Sequence, residues 1–111
     1  MAIKIVISDT VGIKVKGTIN DAAGIAQPFD FALKCIRLDA DQIQDKLKSE
    51  SESSITDFLC DVVEGWSGVR DDQDAQIPFD EMMLRQLCKI PGIAAVSFRT
   101  YLAEVGAKEK N

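Results

Sequence analysis

The sequence predicts an α+β fold: an N-terminal three-stranded antiparallel meander over residues 1–38, then about four helices over residues 39–106. Three observations predict it. Up to Leu38, apolar residues alternate with polar ones, the period of a half-buried strand. Beyond Leu38 they recur three and four residues apart, the period of an amphipathic helix. The chain has 111 residues, of which 46% are hydrophobic and only 6% aromatic, which fits one domain over 1–111 with a mostly aliphatic core.

The elements follow in order. Ile3, Ile5 and Ile7 alternate with Lys4 and Val6, and Asp9-Thr10-Val11-Gly12 has turn chemistry. Ile13, Val15, Gly17 and Ile19 then alternate with Lys14, Lys16 and Thr18, which predicts a hairpin. Asn20 to Gln27 reads as a loop. After Pro28, the alternation of Phe29, Phe31, Leu33 and Cys35 with Asp30, Ala32 and Lys34 predicts the third strand. Lys4, Lys14, Lys16 and Lys34 would share its wet face and guard the sheet against edge pairing.

Asp39 with Gln42 has capping-box spacing and opens a short helix through Ile43 and Leu47. Ser49 to Ser54 reads as an exposed linker. The strongest helix starts at Ser54, with Ile55, Phe58, Leu59, Val62, Val63 and Trp66 on one face. A turn follows Gly68. Asp80 caps the next helix, with Met83, Leu84, Leu87 and Cys88 facing inward and Met82 beside Gln86 and Lys89. Pro91 ends it and suits the first turn of a last helix. There Ala94, Phe98, Tyr101, Leu102 and Val105 form a face, Gly106 stops the helix, and residues 107–111 form a frayed tail.

Charge and composition exclude several classes. Formal net charge is −5, so the chain as a whole repels phosphate, and nucleic acid is not an expected partner. Residues 1–38 carry five basic and three acidic side chains; residues 39–81 carry three basic and thirteen acidic ones. The acidic middle reads as a solvated face, or as a steering field for a basic partner. There is no His, which removes the usual general base and the commonest metal ligand. Cys35, Cys60 and Cys88 are odd in number and form no CxxC, so no disulfide framework or zinc site is expected and a reducing compartment fits. Charged residues interrupt the apolar runs, and neither a secretory signal nor a membrane span is expected.

No catalytic, metal or cofactor residue is predicted. Asp71, Asp72 and Asp74 fail as a calcium loop, because counting from Asp72 puts Ile77 at the Gly position and Met83 at the Glu position. Asp57, Asp61 and Glu64 lie on the side of their helix away from the core. They read as a solvated face, as a partner surface, or as the clustered acids of a small hydrolase. Trp66 is either a partner anchor or a core residue, and its phase favours the core. Phe79 reads as a staple before the cap at Asp80. Met82 breaks a polar face and is the best partner-contact candidate. Ile93 and Val96 lie off the main stripe of the last helix, as partner contacts or as a second core contact.

Trp66, Gly68, Val69, Asp71, Pro78, Phe79, Asp80 and Tyr101 form a pattern that resembles the phage tail assembly chaperones: a helix ending in Trp-x-Gly-Val, an acidic turn, Pro-Phe, a capped helix and a final Tyr-bearing helix. The resemblance covers roughly the C-terminal half. The acidic turn lacks the family's Gly, and Asp80 stands where Ser is common. The resemblance implies a non-enzyme in the cytoplasm of a bacterial host. It would bind the tape-measure protein, keep it soluble, and be displaced as tail-tube protein polymerises. A frameshifted, C-terminally extended form and self-association are compatible with it. The competing expectation is a minor structural tail protein of a phage or prophage.

Overall fold

The computed structural model describes residues 2–3, 5, 8–48 and 54–107. The fold is α+β, and the described residues form a three-stranded antiparallel sheet with four helices. Strand β1 (Thr10–Asn20) pairs with β2 (Ala26–Ile36) from Thr10↔Ile36 to Asn20↔Ala26. Helices α1 (Ala40–Lys48) and α2 (Ser54–Val62) follow, then β3 (Val63–Ser67), α3 (Glu81–Cys88) and α4 (Ile93–Val105). The sheet order is β1-β2-β3, with the third strand delivered after two helices rather than before them.

The sheet therefore has a different membership from the one predicted. Ala2, Ile3, Ile5 and Ser8 lie outside any strand, and the rest of the predicted first strand falls outside the described residues. Thr10–Gly12 is strand rather than turn, and the pairing runs on as the Arg37 N–H donates to the Asp9 carbonyl at 2.8 Å. The reversal comes at Asp21–Ile25. There the Asp21 carboxylate accepts the Ala23 and Ile25 N–H groups at 2.9 and 3.0 Å, and Gly24 takes the left-handed conformation at φ 80°. The Ile25 N–H foremost, then the Gln27 side-chain amide at 3.0 Å, hold the Asp21 carboxyl below its ordinary range. Pro28 fits within β2 because β3 pairs only with Ala32–Cys35.

The predicted helix from Ser54 starts there but ends at Val62, and Val63 to Ser67 is strand. A β-bulge explains the misreading. Leu33 pairs with Trp66, and Cys35 pairs with Val63, so Glu64 is the extra residue. The bulge puts Val63 and Trp66, three residues apart, on one face of a strand. A helix would have done the same, and the sequence pattern is blind to the difference.

Ile13, Val15, Phe31, Leu33, Cys35 and Val63 fill the covered face of the sheet. Phe58, Leu59 and Val62 from α2, Leu84 from α3, and Ile93, Ser97 and Tyr101 from α4 meet them. Phe58 packs edge-on against Phe98 and Tyr101, with centroids 5.2 and 5.6 Å away. Two caps stand as the sequence predicts. Asp39 and Gln42 bond reciprocally, at 2.8 and 3.0 Å, and the Asp80 carboxylate accepts the Met83 N–H at 2.7 Å. Pro91 sits before the α4 cap, Gly92 at φ 91°, rather than in its first turn. The linker Ser49–Ser54, but for Ser54, and the tail beyond Ala107 lie outside the described residues. Among the described residues, no helix is long and apolar enough to cross a membrane.

Candidate interaction surfaces

Among the described residues the β1–β2 hairpin builds two uncovered surfaces. Its strands are eleven residues each, about 36 Å at strand rise. The thirteen-residue α4 spans about 20 Å at helix rise. The hairpin outruns the helical layer, and the described molecule is elongated, 50 × 35 × 26 Å.

The first surface is a groove of about 170 Å³ between the overhanging hairpin and the α3–α4 corner. Ile19 and Phe29 of the hairpin and Leu87, Ile90 and Ile93 of the α3–α4 corner line it, together with Asp30, Phe31, Gly68, Val69 and Arg70. Ile19 is 41% and Ile90 38% exposed. Gly17 sets the position of Phe29. The two are paired across the strands, and a Cβ on Gly17 would come within 2.7 Å of the Phe29 ring. The ring lies across the glycine and stacks on Phe31 at 6.1 Å.

The second is the open face of the sheet. Lys14, Lys16 and Lys34 are exposed on it, as the alternation predicts; Lys4 is outside the described residues. Between them Gly12, Ala32, Gly65 and Ser67 leave shallow ground, including a depression of about 250 Å³ beside Lys14, Lys16 and Asp30. No ion pair engages these three lysines among the described residues.

The six residues predicted to contact a partner are not brought together. Met82 is 69% exposed on α3. Ile93 is 3% exposed in the core and also lines the groove, and Val96 is half-buried against the core. Asp57 and Asp61 brace the helices, bonded at 3.1 Å to Arg85 of α3 and Lys46 of α1. Glu64 is exposed on β3, not on a helix.

Trp66 packs against the core. Its Nε1–H donates to the Ile77 carbonyl at 2.8 Å, and its ring meets Phe79 edge-on at 5.1 Å. Asp71 accepts the N–H groups of Gln73 and Ala75 at 2.9 Å, and Asp74 takes the left-handed place at φ 62°, the geometry that Asp21 and Gly24 have in the first turn. Burial pushes the Cys35 thiol up to about 12, with Glu64 adding to it, and burial also raises Cys60 and Cys88. Among the described residues, no group of three or more Cys, Asp or Glu is arranged to hold a metal ion.

Two residues escaped sequence reasoning. Ser97 is buried at the centre of α4, where a polar residue gave no apolar signal. Arg37 reaches from the end of β2 to the Val105 carbonyl at 3.2 Å, closing the C-terminus of α4 across 68 residues. No protein-family model, curated protein or solved structure matches this chain.

Proposed function

We propose that the chain is a phage tail assembly chaperone, a non-enzymatic binding protein working in the cytoplasm of a bacterial host. Its client is the tape-measure protein, and it hands over to tail-tube protein as the tube grows. The observation that supports this reading is the apolar groove under the hairpin, lined by half-open Ile19 and Ile90. A holding protein needs apolar ground that stays open until the client arrives, and an amphipathic helix laid into a groove is a common way to use it. The groove adds to the Trp66-to-Tyr101 resemblance, which names the family. Phe29 and Leu87 offer apolar side chains and Asp30 and Arg70 charges of both signs, which suits clients of varied sequence.

Co-expression with long hydrophobic tape-measure fragments tests the proposal. The chain should raise their soluble yield and co-purify with them. Unchanged solubility and no co-purification would remove the reading.

A further inference from the structure

We infer that the open face of the sheet docks an acidic helix of a partner protein, whose carboxylates meet Lys14, Lys16 and Lys34. Three observations carry this. First, the patch is basic on a chain of formal net charge −5. The two shallow depressions on this face, of about 250 and 370 Å³, meet at Ala32 and Ser67, and their charged lining residues are the three lysines and Asp30. All three lysines are exposed, and no ion pair engages them among the described residues. Second, edge protection does not account for the set. Lys14 and Lys16 lie on β1, but Lys34 lies on the middle strand, paired with Gly12 of β1 on one side and Gly65 of β3 on the other. A lysine there blocks no edge pairing.

Third, the ground around Lys34 is kept low. Glycine weakens a strand interior, and it is justified there by a positive φ, a bulge, a crowding neighbour or close approach from outside. Neither Gly12 nor Gly65 has a positive φ, and among the described residues a Cβ on either would meet nothing within 4 Å. Gly65 follows the bulge at Glu64, but Gly12 has no bulge beside it. Close approach by another molecule is the justification that remains for Gly12.

Charge complementarity and spacing select the occupant. Lys14 and Lys16 stand two residues apart on one strand face, about 6.6 Å at strand rise. Carboxylates four residues apart on a helix are about 6 Å apart along its axis, so one acidic ridge matches both lysines. A helix is also the ordinary second layer on a sheet face. A polyphosphate would meet the same lysines but also the net charge of the whole chain, which repels it. Ile19 and Phe29 share the side of Ile13 and Phe31, so the apolar groove and this surface use opposite sides of the hairpin.

Fluorescence anisotropy tests this, with the full chain at low ionic strength and a labelled Ala-rich helical peptide bearing Glu at every fourth position. The parent chain should bind the peptide, and binding should fade as salt is raised. The Lys14→Gln/Lys16→Gln/Lys34→Gln variant should bind about tenfold more weakly, three exposed pairs contributing a few-fold each. Gly12→Val keeps every charge, has room for its side chain and suits a strand better than glycine. It should melt at or above the parent midpoint and yet bind as weakly as the triple variant. Lys89→Gln, at the end of α3, should change nothing. A parent chain that ignores the peptide overturns the inference, as does undiminished binding by the triple variant or by Gly12→Val. Tighter binding of a DNA duplex overturns it by assigning the face to phosphate. Self-association that is lost in the triple variant overturns it by assigning the face to a second copy.

Discussion

Tyr101 holds the two halves of the molecule together. Its hydroxyl donates to the Ile36 carbonyl at 2.7 Å and accepts the Leu38 N–H at 3.2 Å, fixing the step from β2 towards α1. The residue is 0% exposed and both bonds are partly buried, so Tyr101→Phe leaves the Ile36 carbonyl and the Leu38 N–H without this partner. The expected cost is about 1–3 kcal/mol in urea denaturation. Burial is the main cause that raises the Tyr101 phenol above its ordinary range. The Cys35 thiol is buried as a neutral group, with its pKa raised from 9.0 to about 12. Its protonated form is the one the fold favours. That contribution is intact below the unfolded value and is lost as pH rises from 9.0 towards 12. A thiolate-selective reagent at neutral pH should therefore leave Cys35 unmodified in the folded chain and label it in urea. Labelling of the native protein at the rate of free cysteine would contradict that burial.

At the scale of elements, stop and start signals were legible where they are local. The Asp39–Gln42 box and the Asp80 cap each lie within four residues, and both form as their spacing predicts. Asp80→Ala should cost about 1 kcal/mol, read as a lower denaturation midpoint. The Asp57–Arg85 and Asp61–Lys46 side chains are 35–61% exposed, and each pair adds about 0–1 kcal/mol at most. β3 was not legible. Helical and strand readings of Val62-Val63-Glu64-Gly65-Trp66 bury the same side chains, and only pairing with β2, some thirty residues earlier, decides between them. Two β-branched residues followed by Gly65 were the available signal, since both weaken a helix. The turn expected after Gly68 stands at Asp71–Asp74, but its left-handed Asp74 carries no sequence signal, because Gly is the usual occupant.

At the scale of the molecule, the sheet-and-helix division and the lysine-bearing face were readable from periodicity alone. The groove was not, because Ile19 and Phe29 are some sixty residues from Leu87 and Ile90 and meet only through the overhang of the hairpin. Met82 stands out as an exposed methionine on α3, yet the open apolar walls lie at the hairpin end. The central claim is that this groove receives the client. Its most direct test is calorimetric titration of a tape-measure fragment into the purified chain and into an Ile19→Asp/Ile90→Asp variant. Both side chains are more than half buried, so the variant should lose about 2–4 kcal/mol of stability and is titrated well below its melting midpoint. The account predicts binding with a negative heat-capacity change for the parent and at least a tenfold weakening for the variant, about 1.4 kcal/mol. Equal affinity for the two proteins would contradict it.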